Sequence, residues 1–425
     1  MKFPPGFSLV MLEGSLGTLL AAIYGILCAR LWGPEISGMT SFAFALASVF
    51  AFLSCISIEQ IVIARYVGGD DHGRLFLATL ILRSAAIGAS MLGIMLTSIA
   101  NAAFLGPWLL LPALCFLQLA LSAIDLLRLR AQAMGMLHRQ SIPRMGISLV
   151  FFLMKYASLV TQAPHESVWT TLWLTVVESA LLLVTSVLIT RSTAPLEINR
   201  PVNWNAIKGE IRGILHASLP LFGASLLVML FFKLDYFMLS ELSTPYDIGL
   251  YAAAMRVMEM YVAIANLALL QFYPLIAQAY SKSADDYAAS LRSAFRLAYL
   301  LSFVIIAFNL LVGAQVIGLL LGPRYEEVAL YSTVFCLLSI PLLSGTVRGF
   351  AISLQGLHRN HFFAAAIGFG FAIPLMFLLI PSLGFKGALI SDLIAYTTSA
   401  MLSSLLIPSL RSVARHQWMP GFHKS

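Results

Sequence analysis

The sequence predicts an all-α integral membrane protein of about twelve transmembrane helices arranged as two six-helix bundles. Three observations carry that prediction. Of 425 residues, 60% are apolar and only 11% are charged, whereas soluble domains are about 45–50% apolar and roughly 25% charged. The apolar residues gather into runs long enough to cross a bilayer. The basic residues then fall almost wholly on one side of those runs when the runs are taken to alternate in direction.

Runs bounded by charged residues or by Gly and Pro place spans near 9–29, 38–64, 75–99, 107–127, 145–163, 168–190, 214–239, 248–274, 297–321, 328–354, 361–380 and 385–407. The first run has no basic leader beyond Lys2 and no small-residue cleavage site before Arg30, so it reads as a retained span. The longest connections, 128–144, 191–213 and 275–296, share one side under alternation. With the N-terminus inside, 18 Lys and Arg residues are cytosolic, and only Arg30, Arg324 and Lys386 lie outside. That asymmetry predicts a multi-pass protein with both termini in the cytosol. It also accounts for the net charge of +7 through basic loops beside anionic lipid, and no charged domain exists to hold nucleic acid.

The most polar connection, 191–213, separates an N-terminal bundle over 1–190 from a C-terminal bundle over 214–407, and 408–425 forms a cytosolic tail. The halves begin alike. GPEISGMTSFAFAL at 33–46 and STPYDIGLYAAAM at 243–255 are each a turn with proline, an acidic residue and glycine that opens a helix. The echo predicts an internal duplication with both halves in one orientation. Small residues four apart, among them Ala21 with Gly25 and Ala364 with Gly368, mark close helix contacts. Cys28, Cys55, Cys115 and Cys336 lie in or beside apolar runs at no metal-like spacing and read as small hydrophobes.

Ionisable residues inside spans carry the functional argument, because a charge in hydrocarbon requires a partner, a protein interior or a wet cavity. In the eighth span Arg256, Glu259, Ala263 and Asn266 share a face, so Arg256 either pairs with Glu259 or lines a pore. Lys233 and Asp235 sit two apart near the outer end of the seventh span. Lys233 either snorkels to headgroups or faces inward, and Asp235 forms a salt bridge, titrates or orients a hydrogen bond. In the fifth span Ser148, Lys155, Ser158 and Gln162 align, and a lone ammonium at that depth needs water or an anion. Ser41, Ser48 and Glu59 repeat along the second span, Glu13, Gly17 and Tyr24 along the first, and Asp392, Tyr396, Ser399 and Ser403 along the last. Arg83 and Arg348 add positive charge. The substrate-binding candidates are therefore Arg256, Lys155, Arg348, Lys233, Arg83 and Asn266. Asp235, Glu259, Glu59, Glu13 and Asp392 are the candidates for ion coupling or gating.

Other chemistry has no support in the sequence. There is no phosphate-binding G-x-x-x-x-G-K-[ST] loop, and His138, His358, His361 and His416 lie in or beside short loops without metal spacing. Asp70–Asp71 and Asp285–Asp286 read as solvated loop charges. The chain is expected to be no enzyme, with no catalytic residues and neither metal nor cofactor.

Several stretches resemble the oligosaccharide flippases of bacterial polysaccharide biosynthesis, within the multidrug/oligosaccharidyl-lipid/polysaccharide exporter superfamily. They are Asp235 in FFKLDYFMLS, the turn Ser243–Gly249 running into Leu250-Tyr251-Ala252-Ala253-Ala254-Met255-Arg256, and Phe272-Tyr273-Pro274-Leu275-Ile276. Gly33-Pro34-Glu35 with Gly38, Ile58-Glu59 leading to Arg65-Tyr66, Gly322 with Tyr325, and Gly384-Phe385-Lys386-Gly387-Ala388 add to them. The resemblance implies two bundles forming a V-shaped alternating-access transporter in the bacterial inner (plasma) membrane. Its implied cargo is an undecaprenyl-pyrophosphate-linked oligosaccharide for O-antigen, capsule or exopolysaccharide synthesis. It implies no cofactor, coupling to a proton or sodium gradient, and as partners membrane lipids with the polymerase and chain-length regulator of the pathway. Asp235 and Arg256 carry over by position. The rival readings are a multidrug cation antiporter of the same superfamily, a lipid II flippase, a teichoic acid exporter, and a scaffold subunit whose interior charges are satisfied pairs.

Overall fold

The computed structural model describes residues 7–55, 58–68, 71–193 and 204–418. Lys2, Asp70, Lys424, residues 194–203 of the predicted 191–213 linker (Arg200 among them) and the end of the 408–425 tail lie outside them. The described residues are helical throughout, with no strand among them.

In chain order the principal helices are α1 (Phe7–Trp32), α2 (Pro34–Cys55), α3 (Glu59–Val67), α4 (His72–Ala100), α5 (Leu111–Ala123), α6 (Leu126–Ala133), α7 (His138–Thr161), α8 (Pro164–Thr193) and α9 (Trp204–Phe231). They continue as α10 (Leu234–Leu242), α11 (Pro245–Leu270), α12 (Phe272–Lys282), α13 (Ala284–Phe308), α14 (Ala314–Leu321), α15 (Ser339–Leu354), α16 (His358–Leu383), α17 (Phe385–Thr397) and α18 (Arg411–Trp418). Among the described residues, eleven helical segments are long and apolar enough to cross a membrane. They correspond to every predicted span except the seventh.

Two predicted spans are broken. The 214–239 run is α9, a turn at Phe232–Lys233, and the short α10, so Asp235 sits in the first turn of a separate helix and not on a continuous span. The 38–64 run is α2 and α3, with α2 ending at Cys55, so Glu59 is not in helical register with Ser41 and Ser48. Both breaks occur in continuous apolar sequence, where hydropathy carries no signal of a turn. In the other direction, Arg144, assigned by sequence to a cytosolic loop, lies inside α7. Asp71 is exposed, as expected, and also caps α4 by accepting from the Gly73 and Arg74 amides.

The chain divides into two compact units, Met1–Trp32 with Met39–Met229, and Gly33–Gly38 with Leu230–Ser425. In the first unit α1, α7 and α8 pack side by side and α5 lies on α8. In the second, α13 packs on α12 and α15, and α16 on α17. A core of Leu269, Ile276, Leu291, Phe295, Leu343 and Val347 is fully enclosed there. The predicted small-residue contact at Ala364 and Gly368 holds, since a Cβ on Gly368 would lie 2.6 Å from the Ser399 Cβ.

The two echoed turns meet inside the second unit. Pro34 and Pro245 each occupy a first helical position, where a missing N–H costs nothing. A Cβ on Gly38 would stand 1.9 Å from the Pro245 carbonyl oxygen, and one on Gly249 would stand 1.9 Å from that of Pro34. Each helix start thus uses its glycine to admit the other's backbone. Asp247 of the second turn also accepts from the Phe385 amide at 3.2 Å, which ties the start of α11 to that of α17.

The C-terminal helix α18 docks by polar contacts. Gln417 donates to the Ala400 carbonyl (2.9 Å), and its own carbonyl accepts from the Tyr299 hydroxyl (2.8 Å). His416 is held below the usual imidazole range, first by burial and then by the positive charges of Arg292 and Arg415.

Gly249→Ala and Gly38→Ala are each expected to lower stability by about 1–3 kcal/mol, the cost of overpacking against backbone that cannot rotate away. Gly14→Ala, with no atom within 4 Å of its Cβ, is the neutral control. Thermal unfolding in detergent reads all three. For α18, protonating His416 opposes docking, so the helix is fully docked above the free imidazole value of about 6.5 and loosens as pH falls below it. Hydrogen exchange over residues 411–418 is expected to speed up on acidification, and His416→Gln to remove that dependence.

Candidate functional site

Each unit contains a polar interior, and the predicted residues divide between them. In the first unit, Glu13 on α1 is the hub. Its Oε1 accepts from Arg128 Nη1 (2.9 Å) and Arg144 Nε (3.1 Å), and its Oε2 accepts from the Ser141 hydroxyl (2.8 Å). Arg144 Nη1 reaches on to Ser186 Oγ (3.1 Å) and lies 3.4 Å from Asp125 Oδ2, which in turn accepts from Ser186 Oγ (2.7 Å). Two guanidinium groups therefore meet two carboxylates, with no net charge. Beside them is a cavity of about 330 Å³ lined by Glu13, Gly14, Gly17, Thr18, Arg144 and Ser148 among others. Neither glycine has an atom within 4 Å of its built Cβ, so α1 leaves the space open along this face.

The Glu13, Gly17 and Tyr24 face predicted from sequence is the inward side of α1. Farther along it, the Tyr24 hydroxyl is 2.6 Å from Thr171 Oγ1, and Lys155 Nζ sits 5.8 Å from the Tyr24 ring centre. Lys155 is not a lone ammonium, because it forms an ion pair with Glu178 on α8, both side chains being 13% exposed. Ser158 donates to Gln162 at 3.0 Å on the same α7 face. Arg83 is fully buried, and its Nη2 donates to Glu59 Oε1 at 2.9 Å.

In the second unit the break before α10 directs Asp235 inward. Asp235, Asp392 and Tyr251 are 1%, 2% and 1% exposed. The Tyr251 hydroxyl donates to Asp392 Oδ2 at 2.7 Å, and Asp235 is buried beside Asp392. Asp235 Oδ1 has no hydrogen-bond partner. Aromatic rings enclose the pair: Tyr236 stands edge-on to Tyr251 at 5.5 Å, and Phe231 lies 5.0 Å from Tyr396. Lys233 Nζ is 5.6 Å from the Tyr236 ring centre. This is a pair able to take up or release one proton, or to exchange it for a small cation.

Arg348, on α15, is 3% exposed and acts as a clasp. Its Nη1 donates to the Ser399 carbonyl (2.6 Å) and to Ser403 Oγ (2.8 Å). The Thr398–Leu402 segment is π-helical, and the Ser399 carbonyl in it also accepts from Ser403 Oγ at 2.6 Å. On α11, Arg256 Nη1 approaches Ser37 Oγ at 3.4 Å, Glu259 is exposed, and Asn266 Oδ1 is buried without a partner.

Sequence reasoning missed Glu178, Asp125, Arg128, Arg144 and Ser186. Arg144 was within reach, because it lies four residues before Ser148 and eleven before Lys155, on the same helical face. Asp125 and Arg128 flank the α6 start, where a loop and a short helix read alike.

The Lys155–Glu178 pair makes a direct prediction. Lys155→Ala alone is expected to cost about 3–5 kcal/mol by leaving a buried carboxylate unpaired, and Lys155→Met with Glu178→Leu far less. Unfolding of the two singles and the double in one detergent measures the cycle.

Comparison with known proteins follows the geometry. No curated protein matches the sequence. Among solved structures, an inward-facing multidrug resistance MATE family transporter of the MOP superfamily aligns over 93% of this chain and 95% of its own, at 15% identity and a TM-score of 0.66. The lipid II flippase MurJ in an inward closed conformation aligns over 96% and 90%, at 12% and 0.64. A MOP superfamily transporter from Pyrococcus furiosus, described by the reverse polarity of its binding pocket, aligns over 95% and 94%, at 15% and 0.57. The fold is that of the MOP superfamily of transporters. A family model described as polysaccharide biosynthesis protein matches residues 27–330, and with most of its length inside that match the chain belongs to the polysaccharide biosynthesis protein family.

Proposed function

We propose that this protein moves a lipid-linked saccharide across the membrane by alternating access. The family match over residues 27–330 carries the saccharide, and the fold shared with transporters carries the movement. Within that class, the sequence reading is an undecaprenyl-pyrophosphate-linked repeat unit for O-antigen, capsule or exopolysaccharide. The structural relatives include a lipid II flippase and multidrug transporters, which are the alternatives the sequence left open. They back those alternatives better than the repeat unit.

The residue roles narrow accordingly. Arg83, Lys155 and Arg348 are engaged by Glu59, Glu178 and the Ser399 turn, so holding helices together accounts for them. Arg256, with Asn266 on the same α11 face and Lys233 at the start of α10, is assigned to the anionic part of the substrate, where a guanidinium matches phosphate oxygens. Asp235 and Asp392 are assigned to ion coupling. Glu13 is the gating carboxylate of the first unit, exchanging its two arginines as α1 moves.

The multidrug antiporter is the second reading, and one observation favours it. The Asp235–Asp392 pair is ringed by Phe231, Tyr236, Tyr251 and Tyr396, and an organic cation is attracted by carboxylates and ring faces alike.

Sealed proteoliposomes separate the readings. Wild type is expected to exchange an undecaprenyl-pyrophosphate oligosaccharide between leaflets, Arg256→Ala to slow exchange by about tenfold or more, and Asp392→Asn to abolish its response to a proton or sodium gradient. Efflux of an organic cation from the same vesicles, with no exchange of the lipid-linked saccharide, would establish the antiporter instead.

A further inference from the structure

A second cavity, of about 720 Å³, opens in the second unit where α12 ends, α13 begins and the turn after α15 meets the segment before α18. Positive-inside alternation places all of these at the cytosolic face. It is separate from the Asp235–Asp392 pair and from the Arg256 face, and its volume is within the roughly 300–1,000 Å³ of small-molecule sites. Its lining contains no charged side chain. Tyr280, Tyr287, Gln355 and Ser409 supply two rings, an amide and hydroxyls.

The local geometry is held in place. The Tyr280 and Tyr287 rings meet at 71° with centres 5.1 Å apart, forming a corner. Gln355 Nε2 donates to the Tyr287 hydroxyl at 2.9 Å, so the phenolic proton is left to point at another acceptor. Asn360 Nδ2 fixes Ser409 Oγ at 2.6 Å on the opposite wall. Tyr280 is 47% exposed, so part of its ring is open to a ligand.

We propose that this cavity binds a neutral sugar ring, with the apolar face of the ring against Tyr280 and its hydroxyls meeting Tyr287, Gln355 and Ser409. The chemistry matches on each count. A pyranose ring presents axial C–H bonds to the electron-rich ring face, and its hydroxyls both donate and accept, as the amide and phenol do. An anion would find no cation in the lining, and an apolar ligand would strand the amide. The assignment rests on the saccharide reading above and deepens it. The sugar end of the cargo would be met at the cytosolic surface before entering the transport path.

The test uses full-length protein in phosphatidylcholine nanodiscs free of glycoside detergent, whose sugar headgroups would compete. Saturation-transfer NMR is recorded with glucose, N-acetylglucosamine and maltose as probes, and with inorganic phosphate and phosphocholine as competitors. Wild type is expected to transfer saturation to sugar ring protons. Tyr280→Ala abolishes the transfer and Gln355→Leu weakens affinity by about tenfold, while Tyr280→Phe retains it. Tyr280 is a surface side chain, and an unchanged unfolding temperature excludes misfolding. No transfer from any of the three sugars, transfer untouched by Tyr280→Ala, or displacement by phosphate or phosphocholine would each overturn the proposal. Leaflet exchange measured on the same preparation keeps the two claims apart. Sugar binding without exchange removes the transport reading and leaves the pocket, whereas exchange without sugar binding removes the pocket alone.

Discussion

A charge among apolar helices has to find its opposite inside the protein, and that constraint arranges both units. Glu13 draws Arg128 and Arg144 from α6 and α7 onto α1. Lys155 and Glu178 fix α7 against α8, and Arg83 joins α4 to α3 through Glu59. Apolar packing against lipid-like surface is nearly indifferent to helix rotation, because the hydrocarbon outside is as apolar as the leucines inside. An unpaired ion is far from indifferent. A small number of ion pairs therefore selects the rotation and register of helices that hydropathy leaves undetermined.

In the second unit the same work falls to neutral hydrogen bonds and close backbone contact. Arg348 is received by the Ser399 carbonyl and the Ser403 hydroxyl at the Thr398–Leu402 π-helical turn. That turn follows Asp392 and Tyr396 on the same stretch of chain, so the clasp fixes the carboxyl pair from one side. The Gly38 and Gly249 contact fixes it from the other, because Tyr251 is two residues beyond Gly249 and donates to Asp392. The buried carboxyl pair is thus bordered on both flanks by fixed backbone contacts.

The fold class and most of its spans were legible in the sequence because both rest on long-range averages: run length, apolar fraction and the side on which lysine and arginine fall. Faces within one helix were legible as well. Glu13 with Gly17 and Tyr24, and Asp392 with Tyr396, do lie together, since spacing along a helix fixes direction around its axis. Partners on other helices were not. Nothing local distinguishes Glu178, which meets Lys155, from Glu166, which is exposed one helical stretch earlier. The break at 232–233 was also hidden, because it falls in a continuous apolar run without proline or glycine. Lys155 shows the consequence. The anion it required is Glu178 of the same unit.

That outcome changes what the interior can select for. A cavity of unpaired lysines and arginines would choose its ligand by charge. One in which Arg128 and Arg144 are balanced by Glu13 and Asp125 offers no net attraction to a phosphate. It does offer many oriented donors and acceptors close together. Such a surface discriminates by hydrogen-bond geometry, since a ligand that leaves one of these buried groups without a partner loses about 1–3 kcal/mol for each. Sugars, which have a hydroxyl on most carbons at defined angles, are the ligands that geometry sorts best. Neutral balance in the first unit and the family's link to polysaccharide thus point the same way.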